Sequence, residues 1–432
     1  MSFRYELKLR PRARRSRDDL LTTFYWPAEG PSSFIAPFGP RLAAIGAVPP
    51  LSVDLVRLAL LVFAADRSTI RRVGSTNWSS RDFLLTVPVS DARPWEAVAG
   101  ELGSLLGFLT GDTWALEFRN ARPPREPPAE QRDPLQPSRV VLMSGGADSA
   151  LGVLESRRQL AAAESHLLVS HVGLATLAPI QRRVAEATSV IAPGPAQSVA
   201  QVRLLRRRHQ VDGTEFKSEP SSRSRSVLFL ALGLAHASID GVPLWIPENG
   251  FASLNPPLAP NRRGSLSTRT THPAFIDGLS RILRRVGAHS VIVNPFAHMT
   301  KGEMFRAAVE RFGAAAIGDL LSSTHSCGLT GQRSYGISTT TQCGVCFGCV
   351  VRRASFAAVG LTDTTIYADA GRSDDLAKWL DRNSVIPEMR RFVMRNVTRR
   401  DLLAMSLPDG YSLSDARDLC GRGVQELRKF VS

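Results

Sequence analysis

Apolar and polar positions follow two different periods along the first 121 residues. An alternation of apolar with charged or polar residues predicts strands, and an apolar stripe at helical spacing predicts helices. In chain order these patterns predict a strand over 3–9, a helix over 51–65, a strand over 83–89, a helix over 94–109 and a strand over 113–118. The mixture predicts an N-terminal α+β domain over 1–121. We find no candidate chemistry in it and expect an accessory or partner-docking role.

Residues 122–138 separate this region from the next, because they are rich in proline and charge and predict a semi-rigid linker. Beyond the linker, short apolar runs alternate with amphipathic segments. The predicted strands cover 140–143, 166–172, 201–205, 243–246 and 290–294, and the predicted helices cover 150–160, 179–187, 226–238 and 273–286. Such alternation over 139–360 predicts a parallel sheet with helices on both faces, whose ligands bind at the carboxyl ends of the strands.

Two further stretches complete the pattern. Residues 251–272 are rich in Pro, Ser, Thr and Arg, and so long an irregular segment is either a disordered insertion or a substrate lid. Residues 361–432 are charged and predict a C-terminal helical region that packs on the core or on a partner. Its helices are predicted over 374–381, 387–395, 399–405 and 413–430, with breaks at 410 and at 421–423.

Composition narrows the class of protein. A chain of 432 residues with 43% hydrophobic residues predicts two or three folded domains. The formal charge of +15 would suit nucleic acid or a membrane surface. The excess is almost all Arg and is spread along the chain, so a nucleic-acid partner is not favoured. No secretory signal and no apolar run of membrane-spanning length is visible, so we expect a cytoplasmic protein without a membrane partner.

The stretch 140–149 carries the first candidate chemistry. Four apolar residues predict a buried strand, the turn Ser144-Gly145-Gly146 follows, and Asp148 and Ser149 open a helix. Glycines between a strand and a helix let the backbone approach an anion, and the unpaired N–H groups of the first helical turn point at it. No Gly-Lys-Ser/Thr closes the loop, so the Walker A pattern is excluded. The stretch predicts a phosphate-binding loop, with a simple tight turn as the alternative.

Four of the five cysteines have the spacing of metal ligands. Cys343, Cys346 and Cys349 lie within seven residues, and Cys327 lies sixteen residues upstream of Cys343. Four thiolates match a closed, tetrahedral zinc site with a structural role. An iron–sulfur cluster is the alternative, although the fourth Cys and the Pro of a ferredoxin run are missing after Cys349. Cys420 is expected to be a small core residue.

These motifs resemble those of a known family. The Ser-Gly-Gly-x-Asp-Ser loop resembles the PP-loop of ATP pyrophosphatases, which adenylate a substrate and release pyrophosphate. Together with the cysteine pattern that ends at Arg352, it is similar to the 7-cyano-7-deazaguanine synthase family, known as QueC. Smaller matches follow in the family's order, namely Arg225-Ser-Val-Leu-Phe229-Leu230, Asn249, Pro273-Ala-Phe275-Ile276 and Thr300-Lys301-Gly-Glu303. The resemblance covers 139 to about 356. It implies an α/β fold over 139–360, a PP-loop (adenine nucleotide alpha hydrolase-like) parallel sheet with flanking helices and a terminal zinc knuckle.

Two departures from the family concern the handling of substrate. His171-Val-Gly-Leu-Ala stands in place of an aromatic-Gly-Gln segment, and Ser226 stands in place of an asparagine. The added regions 1–138 and 361–432 resemble the layout of QueC-like components of bacterial antiphage systems. Of these, the QatC type of the Qat system matches best in length and in its added N-terminal domain. This resemblance implies partner proteins from the same defence operon.

The resemblance also implies cofactors and roles: ATP, Mg²⁺ and Zn²⁺, with a deazapurine carboxylate as the small-molecule substrate. The backbone and hydroxyls of 144–149 would hold the leaving pyrophosphate, and Asp148 would hold the loop or Mg²⁺. Lys301 would neutralise phosphate charge or be an exposed first-turn residue, and Arg225 would pair with phosphate or cap an exposed surface.

The residues implied for ATP are Met143, Ser144, Gly145, Gly146, Ala147, Asp148, Ser149, Ala150, Leu151 and Arg225. Those implied for substrate are Glu248 and Asn249, those for catalysis are Asp148, Ser149 and Lys301, and those for metal are Cys327, Cys343, Cys346 and Cys349.

In the implied reaction a carboxylate, in the family 7-carboxy-7-deazaguanine, attacks the α-phosphorus of ATP, and an amine then displaces AMP. Ammonia is the amine in the housekeeping enzyme, where a second activation yields the nitrile. In the defence type an amine of a partner protein could take its place. Two other classes stay open at this point. One is a PP-loop tRNA-thiolating enzyme with an iron–sulfur cluster, and the other is a non-catalytic scaffold.

Overall fold

The computed structural model describes residues 2–10, 21–71, 80–127, 136–173, 175–220, 223–256, 269–329, 334–338, 340–395 and 397–431. Contacts divide the chain into two units. The first unit comprises 1–142, 200–244 and 264–292, and the second comprises 143–199, 245–263 and 293–432. The domain boundaries predicted from the sequence stay a prediction.

The first half of the chain alternates strands and helices. Its elements are β1 (Phe3–Lys8), β2 (Leu21–Tyr25), β3 (Phe34–Ile35), α1 (Pro50–Ser68), β4 (Asp82–Val89), α2 (Ala92–Glu96), α3 (Ala99–Thr110), β5 (Thr113–Asn120), β6 (Arg139–Leu142), α4 (Ala147–Gln159), β7 (Ser165–His171), α5 (Leu177–Ile191), β8 (Ala196–Val202) and β9 (Leu205–Arg206). The helix predicted over 94–109 is in fact two helices, because a turn at 97–98 separates α2 from α3.

The second half is richer in helix. Its elements are α6 (Arg225–Asp240), β10 (Leu244–Trp245), α7 (Gly250–Leu254), α8 (Pro273–Val286), β11 (Ile292–Val293), α9 (Lys301–Phe312), α10 (Ala314–Ser323), α11 (Phe347–Val359), α12 (Asp374–Asn383), α13 (Ile386–Arg395), α14 (Arg399–Leu403) and α15 (Leu413–Val431). The hydrophobic pattern did not predict α7, α9, α10 or α11. The segment 251–272 lies mostly outside the described residues, so the choice between a lid and an insertion stays open.

The first unit contains a four-stranded sheet in the order β2-β1-β4-β5. All three neighbouring pairs run parallel. Parallel neighbours need crossover connections, and α1, which packs on β1 and β4, and α3, which packs on β5, are helices of this kind. The N-terminal region therefore mixes strands and helices as predicted, around a sheet that is parallel throughout.

A buried cluster of arginines and aspartates fixes the start of α6 in the first unit. Asp66 pairs with Arg81 at 2.5 Å, and Asp112 pairs with the same guanidinium at 2.7 Å. The second carboxylate oxygen of Asp66 accepts hydrogen bonds from the backbone N–H of Arg223 and of Ser224 and from the Ser224 hydroxyl. Because every charge in the cluster meets an opposite one, the cluster holds the residues just before Arg225 in place.

A second sheet has the strand order β11-β10-β6-β7-β8. It is the parallel, helix-flanked sheet that the alternation over 139–360 predicted, and it is consistent with a Rossmann-like PP-loop domain. Backbone hydrogen bonds continue past its short strands, for example from Met143 to the Val169 carbonyl at 2.8 Å and from Ile246 to the Val293 carbonyl at 2.9 Å. The predicted fold class is therefore confirmed.

The C-terminal helices pack on the core of the second unit. Their buried apolar residues, among them Met389, Phe392 and Leu419, join a cluster with Phe251 of α7 and Val350 of α11. The predicted break at 421–423 is wrong, because α15 runs through it. Among the helices of the described ranges, none combines the length and apolar character needed to cross a bilayer.

Candidate active site

The loop after β6 has a backbone that requires glycine. Gly145 has a φ of +89°, which residues with a side chain rarely adopt. A Cβ atom at this position would also lie 3.3 Å from Cγ of Gln181. Gly146 is the N-cap of α4 in an extended conformation. This geometry leads the chain from the sheet into the first turn of α4, where helical N–H groups have no intrahelical partner.

The hydroxyls of Ser144 and Ser149 meet across this loop. Their oxygens lie 3.3 Å apart, the Gly146 N–H donates to Ser144 Oγ at 3.3 Å, and Ser149 Oγ donates to the Gly146 carbonyl at 2.8 Å. The two hydroxyls therefore belong to one small polar turn. Met143, Ala150 and Leu151 are buried apolar residues that support this turn from the sheet and the helix.

Asp148 lies in the first turn of α4 and contacts two other stretches of the second unit. Lys301 Nζ lies 2.7 Å from Asp148 Oδ1, and Asn249 Nδ2 donates to Asp148 Oδ2 at 2.8 Å. The same amide group of Asn249 donates to Glu248 Oε1 at 3.0 Å. Asp148, Asn249 and Lys301 are 6%, 0% and 8% exposed. Three buried residues and the half-buried Glu248, all of them predicted site residues, thus form one polar cluster.

The surroundings of Asp148 strongly favour its charged form. Burial by itself raises the pKa of a carboxyl, because it penalises the anion. The ammonium of Lys301 and the hydrogen bonds that Lys301 and Asn249 donate to the carboxylate together outweigh burial and lower the pKa of Asp148 to about 2. Asp148 is therefore a carboxylate at any physiological pH, and its charge is matched by Lys301.

Local sequence explains how Lys301 reaches this cluster. Thr300 is the N-cap of α9, and its side chain accepts from the Glu303 N–H while the Glu303 side chain accepts from the Thr300 N–H. This capping box fixes the first turn, whose first residue is Lys301. The exposed first-turn role that the sequence left open for Lys301 is excluded by its burial.

Glu248 and Asn249 are placed by a residue that the sequence analysis missed. Asn294 Oδ1 accepts from the Glu248 N–H at 3.3 Å, and Asn294 Nδ2 donates to the Glu248 carbonyl at 2.8 Å. Asn249 in turn caps α7 by accepting from the Ala252 N–H at 2.9 Å. The sequence could have pointed to Asn294, because this residue directly follows the strand β11. Asn249 likewise lies a short distance after the strand β10.

A close approach of backbone brings this stretch against α4. A Cβ atom at Gly152 would collide with the ring of Pro247. Glycine at 152 thus permits the contact that places Asn249 within hydrogen-bonding distance of Asp148. Gly152 is not part of a motif, so the sequence did not identify this contact.

Arg225 was predicted to touch phosphate, and its position leaves that role untested. It is the first residue of α6 and lies in the first unit. The structure leaves Arg225 exposed to solvent. Its contact with phosphate therefore stays a prediction, and Ala147 contributes to the loop only through its position in the first turn of α4.

The four predicted metal ligands lie together in the second unit. The sulfur atoms of Cys327, Cys343, Cys346 and Cys349 all lie within 4.8 Å of one another. The backbone N–H of Cys343 donates to Cys327 Sγ at 3.4 Å, and that of Cys346 donates to Cys343 Sγ at 3.3 Å. Four converging sulfurs with backbone donors suit a tetrahedral zinc ion. Cys420 lies outside this group and is buried in α15, as predicted.

Three consecutive residues connect the cysteine cluster to the glycine loop. The His325 N–H donates to the Gly145 carbonyl at 2.9 Å, and a Cβ at Gly146 would lie 3.5 Å from the His325 carbonyl oxygen. The next residue, Ser326, donates its N–H to Gln342 Oε1 at 3.0 Å, and Cys327 follows. The cysteine cluster therefore anchors one side of the loop, which the sequence did not reveal.

Comparison with known proteins supports the motif-based resemblance. The chain is similar to 7-cyano-7-deazaguanine synthase. The curated relative, from Cupriavidus taiwanensis, is 27% identical over 249 residues, which cover 54% of this chain and 97% of that protein. No family model and no solved structure matches the sequence. The similarity supports a QueC-like PP-loop enzyme and does not extend to the QatC type.

The Asp148 cluster predicts a pH dependence of stability. Because the pKa of Asp148 falls from 3.8 to about 2 on folding, its contribution is complete only above about pH 5 and is lost progressively as the pH falls through 4 to 2. It amounts to about 2 kcal/mol. Urea unfolding of the wild type between pH 5 and 2.5 should show this loss, and Asp148→Asn should show a flatter profile. An equally steep profile for Asp148→Asn and for the control Asp319→Asn, at an exposed carboxylate of α10, would contradict the assignment.

The cysteine cluster predicts one zinc ion per chain in a colourless protein. Elemental analysis of Cys349→Ser should show loss of the metal, and hydrogen exchange of the loop amides at 144–147 should become faster, because the His325 anchor is released. Cys420→Ser changes an equally buried cysteine outside the cluster and should retain the metal. Iron in a brown protein would instead favour the thiolating class.

Proposed function

We propose that this protein is an ATP-dependent enzyme that adenylates a carboxylate at the loop 143–149 and passes the acyl group to an amine. The observation that carries the proposal is the buried contact of Asp148, in the first turn after the glycine loop, with Asn249 and Lys301. The relative's name, 7-cyano-7-deazaguanine synthase, supports a deazapurine carboxylate, such as 7-carboxy-7-deazaguanine, as the substrate.

The loop supplies the groups that a pyrophosphate needs. The N–H groups in the first turn of α4 form the positively polarised N-terminus of that helix. The conformation of Gly145 leads the backbone into this turn. Ser144 and Ser149 each add a hydroxyl that would donate to a phosphate oxygen after rotating away from its present acceptor within the loop. The β- and γ-phosphates of ATP would lie against this turn, which leaves the α-phosphorus on its open side.

Lys301 would carry the electrostatic part of catalysis. An ammonium has three donors, and the contact with Asp148 takes one of them. The remaining donors can stabilise negative charge that grows on the bridging oxygen as the α–β bond breaks. Asp148 holds the ammonium in place, and Mg²⁺, when bound, would screen the phosphates with Asp148 and Glu248 as oxygen ligands.

The proposed chemistry has two balanced steps. A carboxylate oxygen attacks the α-phosphorus, the bond to the bridging oxygen breaks, and pyrophosphate leaves with the electron pair. An amine then attacks the carbonyl carbon of the acyl-adenylate, loses a proton to solvent and displaces AMP. The product is an amide, which classes the enzyme as a carbon–nitrogen ligase.

The acceptor amine separates two forms of this function. The motif region favours ammonia, as in the family resemblance. The added regions 1–138 and 361–432, by their layout, favour a protein amine supplied within an antiphage defence system of the QatC type. Incubation with ATP, 7-carboxy-7-deazaguanine and either ammonium or the operon proteins, followed by intact-mass analysis, distinguishes a small amide from a protein conjugate.

Lys301→Met provides the sharpest mutational test of the reaction. Formation of AMP and pyrophosphate in the presence of the carboxylate should fall about 100-fold, because one stabilising charge is lost from the transition state. Lys378→Met, at an exposed lysine of α12, should retain full activity. If the wild type releases no AMP with any carboxylate, or if Lys301→Met matches the control, the proposal fails.

A further inference from the structure

We infer that α15 contributes to the active site. Its residue Glu426 is a positioning residue that fixes the location of Lys301. This inference rests on the function proposed above for Lys301. It concerns the C-terminal extension, whose role neither the motifs nor the similarity to the synthase assigns. α15 contacts both helices, α7 and α9, that begin at the two stretches meeting at Asp148.

Glu426 binds the turn from which Lys301 projects. Its carboxylate accepts one hydrogen bond from Thr300 Oγ1 and a second one from the Gly302 N–H at 3.0 Å. Thr300 and Gly302 are the immediate neighbours of Lys301. A carboxylate held by donors on both sides of a residue restricts that residue's backbone, so Glu426 fixes where the Lys301 side chain starts.

Gly302 shows how closely Glu426 approaches. A Cβ atom at this position would collide with the carboxylate of Glu426. Glycine is normally a poor helix residue, and alanine would stabilise the first turn of α9 by about 1 kcal/mol if nothing else were present. A side chain at 302 would therefore require the Glu426 carboxylate to move from its present position.

Arg422, one helical turn before Glu426, makes a second attachment to the same region. Its Nε donates to Glu303 Oε1 at 2.7 Å, and its Nη2 donates to the His298 carbonyl at 2.9 Å. Glu303 is the capping-box residue of α9. Arg422 thus holds the cap while Glu426 holds the turn, and both act on the segment 298–303 that carries Lys301.

The same helix also packs on α7, which begins directly after Asn249. A Cβ atom at Gly423 would collide with the ring of Phe251, and one at Gly250 would lie 2.9 Å from Cδ2 of Leu419. Contacts of α15 therefore reach the starts of both helices whose leading residues bind Asp148. The helix α15 therefore sets the spacing between Asn249 and Lys301.

Two readouts test this inference, and one of them does not depend on activity. In Glu426→Ala, hydrogen exchange of the amides at 301–304 should be at least about tenfold faster, because the Gly302 N–H loses its acceptor. AMP formation should fall about tenfold, mainly in kcat, since misplacement of a catalytic group weakens transition-state stabilisation. Glu426→Gln keeps one acceptor oxygen and should recover part of both.

Gly302→Ala tests the contact from the other side. Helix propensity predicts a more stable α9, whereas the contact predicts displacement of Glu426 and a loss of AMP formation similar to that of Glu426→Ala. In the double variant the side chain at 302 has room, so the double variant should behave like Glu426→Ala alone. Gln425→Ala, at the exposed neighbouring position, is the control and should match the wild type.

The outcomes separate the two proposals. Unchanged exchange at 301–304 in Glu426→Ala would overturn the inference whatever the activity. Faster exchange with unchanged AMP formation would overturn the positioning role. Faster exchange in a protein whose wild type makes no AMP would support the contact while the proposed function fails. If Glu426→Ala does not fold, as judged by circular dichroism, the same criteria apply to Glu426→Gln and Gly302→Ala.

Discussion

A carboxylate that is buried at the start of a helix needs an opposite charge and hydrogen-bond donors close to it. In this protein that carboxylate is Asp148. Lys301 supplies the opposite charge and Asn249 supplies a hydrogen bond, so three stretches that are distant in sequence must meet at one point. Much of the surrounding structure serves that meeting. Gly152 admits Pro247, Asn294 fixes the backbone of Glu248, and a capping box fixes the turn of Lys301.

The glycine loop is held from two directions. On one side, the Asp148 cluster joins the first turn of α4 to the starts of α7 and α9. On the other side, the His325 N–H binds the Gly145 carbonyl, and the chain continues within two residues into the cysteine cluster. A loop that must bind a highly charged ligand gains from such support, because its donors need no reorganisation when charge develops.

The loop and the cysteine ligands could be predicted from the sequence because their residues are close together in the chain and their chemistry depends on spacing. Asn249 could be expected near the loop, because both follow buried strands of one parallel sheet. The contact between Asp148 and Lys301 was not predicted, and Lys301 was singled out only through the family resemblance. Asn294, His325 and Glu426 were missed because each acts through a contact between distant segments, for which the chain carries no periodic signal. The break expected at 421–423 was wrong for a related reason, since Gly423 is small to admit Phe251 and not to end a helix.

The central claim is that the carboxylate of the substrate attacks the α-phosphorus of ATP at this loop. Its most direct test follows the oxygen atoms of a carboxylate substrate labelled with ¹⁸O, in the presence of ATP and the acceptor amine. Attack at the α-phosphorus predicts that one labelled oxygen appears in AMP, as read by mass spectrometry, and that pyrophosphate stays unlabelled. Label in inorganic phosphate together with formation of ADP would show attack at the γ-phosphorus and would contradict the account.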